Sequence, residues 1–153
     1  MNSLANLLWL ENILIDLDVS SKSQLFEVIG RYLEQRCAMP QRSVAESLSR
    51  RVLLGSTAMG DGVAFSHACV TNLERIQIVY ARLKSLIPFD APDGKPVSDI
   101  LVLLVPRLAT EEHLRILAEA TKMFSDRRFR ELLLLCKNTL EVKGLFMTWS
   151  LAY

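Results

Sequence analysis

A run of six consecutive apolar residues, Ile100 to Val105, constrains the fold more than any other stretch of the chain. It is far too short to cross a bilayer, so it indicates a strand that is buried on both sides. Such strands lie in the middle of a sheet whose two faces are covered. Because apolar residues at helical spacing precede and follow the run, we expect an α/β fold with helices on both sheet faces.

Periodicity and turn residues predict the other elements. Strands are predicted at 13–19, 63–65 and 76–83, a loop at 86–97, and helices that begin near residues 21, 43, 110, 126 and 139. Ser21 and Gln24 match a capping box, Thr110 and Asp126 are predicted N-caps, and the second helix should end near Leu53. The predicted buried stripe of the helix after Thr110 consists of Leu114, Leu117, Ala118, Thr121 and Phe124.

Length, charge and cysteine content limit the number of domains, the kinds of partner and the cellular location that we expect. The 153 residues fit a single domain with a substantial core. A formal net charge of +1 and scattered basic residues argue against nucleic acid as a partner and against membrane insertion. The N-terminal residues do not resemble a secretory signal, and the three cysteines form neither a disulfide framework nor a paired metal motif. We therefore expect a cytoplasmic protein with no cofactor and no metal.

A glycine-rich segment from Gly55 to Val70 is the candidate functional region. Its glycines permit close approach of a ligand, and the apolar run 63–65 predicts a short strand that leads directly into His67. The imidazole would then lie where a rigid element ends. The residues alone leave two interpretations: a structural histidine, or a nucleophile for phosphoryl chemistry.

The segment from Arg51 to Ala68, RVLLGSTAMGDGVAFSHA, resembles the active-site signature of the fructose/mannitol-type IIA proteins of the bacterial phosphotransferase system. In that signature an Arg-Glu pair, a Ser-Thr pair and glycines precede a small strand that ends in Pro-His. The resemblance extends from Leu10 to about Trp149 and is greatest for the stand-alone nitrogen-regulatory branch. The chain departs from the signature at Val52, where the family has glutamate, and at Ser66, where it has proline.

The resemblance implies a fold, a reaction and partners. The fold would be a single three-layer domain with a mixed sheet. His67 would accept a phosphoryl group from a histidine-containing phosphocarrier of the HPr or NPr type, and His113 would orient His67 or stabilise the phosphate. Arg51 would hold the phosphoryl oxygens, with Ser56 and Thr57 as further candidates. The regulated partners would be proteins such as kinases or ion-transport regulators.

Two other functions stay open at this stage. The chain could be a sugar-specific IIA component that passes phosphate to a separate IIB subunit, or a docking module in which the changes at Val52 and Ser66 have ended phosphorylation. The glycine spacing does not make a nucleotide-binding loop, because Asp61 and Gly62 stand where lysine and Ser/Thr are required. A zinc site formed by His67, Cys69 and His113 is a weaker alternative.

Overall fold

The computed structural model describes residues 3–37, 58–60, 62–69, 73, 75–89, 94–106 and 111–152. Within these ranges, five strands form one sheet. The strands are β1 Ile13–Leu17, β2 Ala58–Gly60, β3 Val63–Cys69, β4 Gln77–Ile87 and β5 Val97–Val105. The helices are α1 Ser3–Leu7, α2 Lys22–Cys37, α3 Glu111–Ser125, α4 Arg127–Leu135 and α5 Thr139–Ala152, and a 3-10 turn spans Leu10–Asn12.

β5 lies in the middle of the sheet, whose strand order is β1-β4-β5-β3-β2. It runs parallel to β3 and antiparallel to β4, while β1 is parallel to β4 and β2 is antiparallel to β3. All residues of β5 are buried except Ser98, which is half-buried. The predicted central strand and the mixed sheet implied by the resemblance are both confirmed.

Alternate residues of β5 face two separate hydrophobic cores. Ile100, Val102 and Leu104 pack in a core with residues of α2. Leu101, Leu103 and Val105 pack in a second core with residues of α1, α3, α4 and α5. Fully burying one such side chain contributes about 1.5–3 kcal/mol. The sheet is therefore stabilised from both faces, and the helical layers predicted on each face are confirmed.

Two predicted helix caps are confirmed. The Gln24 amide donates to the Ser21 hydroxyl oxygen at 3.1 Å, while the side-chain oxygen of Gln24 accepts from the Ser20 amide at 2.7 Å. At the start of α4 the Asp126 carboxylate accepts from the Arg128 amide at 2.9 Å. Each cap satisfies N–H groups that have no partner within the helix. The helix predicted at 43–53 and the Thr110 cap lie outside the described residues.

Several predicted strand boundaries were wrong. β1 ends at Leu17 instead of Val19, because Asp16 adopts a φ of 58° and the pairing register shifts between Leu14 and Leu17. The predicted loop at 86–97 is too long at both ends, since β4 runs on to Ile87, which pairs with Val97. Backbone pairing across the hairpin, which side-chain patterns do not encode, extends both strands.

The predicted buried stripe of α3 was wrong by one position except at Phe124, which is buried as predicted. Leu114 is 63% exposed and Thr121 is exposed, whereas α3 buries His113, Ile116, Ala120, Met123 and Phe124. The two stripes are adjacent on the helix and share Phe124. The contacts that α3 makes with the sheet decide which of them is buried.

Candidate functional site

His67 lies within β3, two positions before the strand ends at Cys69. The predicted strand at 63–65 was therefore too short, and His67 lies inside the strand and not where it ends. Seven consecutive residue pairs join β3 to β5, and His67 lies opposite Leu103. This ladder depends on backbone groups, so it continues through the polar Ser66 and His67. The histidine is thus held by the central part of the sheet.

The half-buried His67 side chain lies on the sheet face that α3 covers. Side chains alternate along a strand, so His67 shares its face with Val63 and Phe65, which belong to the core under α3. The Phe65 ring meets the Phe124 ring of α3 edge to face, with centroids 5.4 Å apart. This contact fixes the position of α3 relative to the strand that carries His67.

His113 is the partner that α3 brings to His67. It is the third residue of α3 and only 7% exposed, and its ring centroid lies 5.8 Å from that of His67 with the planes tilted by 57°. The register of α3 explains this contact, because the helix buries the stripe that includes His113. The structure therefore brings together two of the predicted site residues that are far apart in the sequence.

The location of the pair suits a negatively charged group. In the first turn of a helix the backbone N–H groups have no acceptors within the helix, and the helix dipole is positive there. Two imidazoles beside such a turn can offer a nucleophilic nitrogen and a hydrogen-bond donor to a phosphoryl group. Arg51, Ser56 and Thr57, the other predicted site residues, lie outside the described residues, as does Val52.

Ser66, which departs from the family signature, is a regular residue of β3. It is 1% exposed and pairs with Val102. Side-chain alternation places it on the sheet face opposite to His67. The substitution of proline by serine therefore leaves His67 in a continuous strand.

No group of three His, Cys, Asp or Glu side chains that could hold a metal is found among the described residues. The Cys69 side chain lies outside them, so the zinc alternative with Cys69 stays a prediction. None of the described helices is long and apolar enough to cross a membrane.

Sequence reasoning missed a buried polar cluster that joins β4 and β5 to the end of α4. The Tyr80 hydroxyl and the Ser98 hydroxyl each donate to the Asp99 carboxylate, both at 2.8 Å. Arg82, which lies opposite Asp99 in the sheet, donates to the carbonyls of Leu133 at 3.2 Å and Cys136 at 2.6 Å. A guanidinium at these carbonyls stabilises the C-terminal end of α4. Polar residues within otherwise apolar strands were the available signal.

Burial raises the pKa of Asp99 above its usual value near 3.8, although the hydrogen bonds from Ser98 and Tyr80 and the charge of Arg82 oppose the shift. Because the folded-state pKa is the higher one, the contribution of Asp99 to stability is fully present below pH 3.8 and is lost as the pH rises through the folded-state pKa. The fold therefore favours the protonated carboxyl group, and stability decreases as Asp99 ionises.

We expect Asp99→Asn to remove this pH dependence. Asparagine does not ionise, so the variant should gain stability relative to the unmodified chain as the pH rises from below 3.8 to neutrality. Urea unfolding across this range measures the difference. Tyr80→Phe is the companion variant. It removes a hydrogen bond that lowers the pKa of Asp99, so the pH range over which the protein loses stability should extend to higher pH. If the free energy of unfolding changed with pH in the same way in the Asp99→Asn variant and in the unmodified chain, Asp99 would not be the source of the pH dependence.

Comparison with known proteins gives consistent matches over most of the chain. The family model described as "Phosphoenolpyruvate-dependent sugar phosphotransferase system, EIIA 2" matches residues 6–147. A nitrogen regulatory protein of Bradyrhizobium diazoefficiens is 37% identical over 117 residues, which is 76% of each chain. A nitrogen regulatory protein homolog of Haemophilus influenzae is 32% identical over 140 residues, or 89% of this chain and 85% of the relative. The crystal structure of the nitrogen regulatory protein IIA-Ntr from Neisseria meningitidis superimposes with a TM-score of 0.87 at 39% identity, covering 93% of this chain and 97% of that one.

Proposed function

Because this chain belongs to the EIIA 2 family of the phosphoenolpyruvate-dependent sugar phosphotransferase system, we propose that it is a regulatory phosphoryl-relay protein of the nitrogen-regulatory branch. In this proposal His67 accepts a phosphoryl group from a histidine-containing phosphocarrier protein. The phosphorylation state of His67 then decides which partner proteins bind. A cytoplasmic location is part of the same proposal.

The proximity of His67 and His113 is the single observation that carries the proposal. The sheet and the first turn of α3 bring two imidazoles from distant parts of the sequence together, with ring centroids 5.8 Å apart. The half-buried state of His67 leaves part of its ring open to an incoming donor. His113 is more deeply buried, and so it suits the orienting or phosphate-stabilising role and not the attack itself.

The proposed reaction exchanges one N–P bond for another. A neutral imidazole nitrogen of His67 attacks the phosphorus of the donor phosphohistidine. A bond forms between this nitrogen and phosphorus as the donor N–P bond breaks, and the donor imidazole leaves with the electron pair. Positive charge develops on the His67 ring as this bond forms, and a hydrogen bond donated by the second ring N–H stabilises that charge. The reaction needs no metal, because both donor and acceptor are imidazoles.

The phosphoryl oxygens also need donors, and we assign this role to Arg51 with Ser56 and Thr57. A guanidinium can bind two phosphate oxygens at once, which an ammonium cannot. Serine and threonine residues next to a glycine can contribute hydroxyl or backbone N–H groups. These assignments follow from the family resemblance of the segment 51–68.

We expect Arg51→Lys to slow phosphoryl transfer without changing the free energy of unfolding. Lysine keeps the charge but loses the two-pronged contact, and each charge-assisted hydrogen bond is worth about 1.5–3 kcal/mol. The loss of one such bond in the transition state corresponds to a roughly 10- to 100-fold lower rate. Rapid-quench measurement of transfer from the phosphocarrier tests this. Arg50→Lys is the matched control and should transfer at the normal rate; an unchanged rate in the Arg51 variant would assign Arg51 to the solvated surface.

Regulation would follow from the charge that the phosphoryl group brings. A dianion on His67 changes the surface beside the first turn of α3, where Leu114 is 63% exposed next to His113. A partner that buries this surface would have to bury an unpaired dianion as well, which is costly. Such partners should therefore bind the unphosphorylated form, while the phosphocarrier engages both forms.

The proposal is tested by incubating the protein with phosphoenolpyruvate, the first enzyme of the relay and the phosphocarrier, and then measuring intact mass. We expect the mass of one phosphoryl group to be added, in a linkage that acid cleaves and base preserves. A protein that takes up no phosphate would instead favour the docking-module alternative.

Affinity capture with the unmodified chain, His67→Ala and His67→Glu then tests whether the phosphorylation state of His67 decides which partners bind. Identical partners for all three would contradict it, and a IIB subunit as the main partner would favour the sugar-specific alternative.

A further inference from the structure

Helix α1 and the residue after it form a segment, residues 3–8, that we call the strap. α1 contacts α3, α5 and β4, so it lies against the sheet beside both of the longer helices. Leu4, Ala5 and Leu8 are all 0% exposed and pack in the same core as Ile116 of α3. A helix of five residues is not stable alone in water, so these contacts keep the strap helical.

Two charged side chains hold the two ends of the strap. The Leu4 amide donates to a carboxylate oxygen of Glu119, on α3, at 2.8 Å. At the other end the Lys143 ammonium, on α5, donates to the carbonyls of Ala5 and Leu8. Burial lowers the pKa of Lys143, so this ammonium is partly removed from water. Both contacts satisfy backbone groups that have no acceptor or donor within the helix, and they tie the strap to α3 and α5.

The strap supports α3 on the side of the helix that leads to His113. Glu119 follows His113 by six residues on α3, which is about 9 Å at 1.5 Å per residue. The ring of Phe124 lies farther along the helix, where it meets the rings of Phe129 on α4 and Phe146 on α5 at 5.3 and 6.1 Å. The strap therefore contacts α3 closer to the histidine than this aromatic cluster does.

We propose that the strap is a positioning element for His113, and that Glu119 and Lys143 are the residues that hold it in place. The strap sets the position of α3 on the sheet, and with it the distance of 5.8 Å and the tilt of 57° between the rings of His113 and His67. Its effect on phosphoryl transfer rests on the proposed function, because a misplacement of about 1 Å can slow a reaction roughly 100-fold. Its effect on the geometry of the two rings does not.

The imidazole signals of the full chain, measured by NMR, test the geometry directly. The chain has two histidines, so substituting one of them assigns both signals. We expect Glu119→Ala to shift the signals of His113, because it removes the acceptor that ties the strap to α3. Glu119→Gln keeps an acceptor oxygen and should leave them in place. The matched control is Glu131→Ala, which removes a carboxylate that is hydrogen-bonded to Arg127 at 3.0 Å on the exposed face of α4.

Transfer kinetics test the consequence for the reaction. Lys143→Met removes the donor at the other end of the strap, and we expect it, like Glu119→Ala, to lower the maximal transfer rate roughly 10-fold. The concentration of phosphocarrier that gives half the maximal rate should stay the same. Lys143→Arg keeps a donor that can bind two carbonyls and should recover part of the rate. Phe89→Ala, which creates a cavity in the core on the other face of the sheet, should change neither the signals of His113 nor the rate.

Three results would overturn the proposal. The first is that the signals of His113 stay unchanged in both Glu119→Ala and Lys143→Met. The second is that Glu131→Ala or Phe89→Ala shifts them equally, which would indicate a general loosening of the fold. The third is a shift of the signals with no loss of transfer rate. If the unmodified chain takes up no phosphate, the proposed function fails, but the signals of His113 still decide whether the strap positions this ring.

Discussion

Replacing His67 with alanine is expected to abolish phosphoryl uptake while the protein stays folded. The side chain is half-buried at the edge of the core, so its loss should change the free energy of unfolding little. Removal of a covalent nucleophile leaves no atom to form the N–P bond, and the transfer rate should fall by at least about 10³-fold. Intact mass after incubation with the phosphorylated phosphocarrier measures the uptake, and circular dichroism verifies the fold.

His113 provides the comparison that identifies the nucleophile. His113→Ala should still form the adduct on His67, but roughly 10- to 100-fold more slowly, which corresponds to one lost charge-assisted hydrogen bond. His113→Gln keeps an N–H donor on a side chain of similar length and should recover part of the rate. If His67→Ala still took up phosphate and His113→Ala did not, the two roles would have to be exchanged.

The central strand of the sheet could be predicted from the sequence because few structures other than a buried strand fit its pattern of side chains. The run Ile100–Val105 has apolar side chains on both faces, and only a covered position in the middle of a sheet satisfies that pattern. The caps at Ser21 and Asp126 were predictable for a similar reason, since each depends on local hydrogen bonds within one turn. Such features need no knowledge of the rest of the chain.

The packing face of α3 could not be predicted in the same way. The stripe through Leu114 and the stripe through His113 differ by one position, and the choice depends on the shape of the sheet that α3 meets. The continuation of β3 through Ser66 and His67 likewise depends on its pairing with β5. The buried face of α3 and the length of β3 are both decided by tertiary contacts, which the local sequence pattern does not contain.

The candidate roles of His67 and His113 were predicted from the glycine-rich segment and from the family resemblance, and the structure brings the two rings together. The polar cluster of Tyr80, Arg82 and Asp99 was not predicted, because these residues come together only when β4 pairs with β5. The roles of Arg51, Ser56 and Thr57 stay predictions.

Phe124 connects this site to the core of the protein. Its ring contacts those of Phe65 and Phe129 edge to face at 5.4 and 5.3 Å, and it lies 6.3 Å from the Tyr80 ring. Phe65 is on β3, two positions before His67 and on the same face. Since Phe124 is 2% exposed, its ring is a principal contact between α3, which carries His113, and the strand that carries His67.

We expect Phe124→Ala to lower the free energy of unfolding by about 3–5 kcal/mol, as is usual for large-to-small substitutions of buried aromatic residues. That is a large part of the 5–15 kcal/mol that typically stabilises a domain. Chemical denaturation measures the loss. The cavity should also let α3 shift against β3, so phosphoryl transfer should slow even at temperatures where the variant is folded.

Phe89→Ala separates these two effects. Phe89 is 1% exposed and packs edge to face with Phe26 in the core on the other side of the sheet, with ring centroids 6.3 Å apart. Its removal should cost a similar amount of stability. However, it does not lie between the strand of His67 and the helix of His113, so the folded variant should transfer phosphate at the normal rate. If both variants slowed transfer equally, Phe124 would act through global stability alone and would have no positioning role.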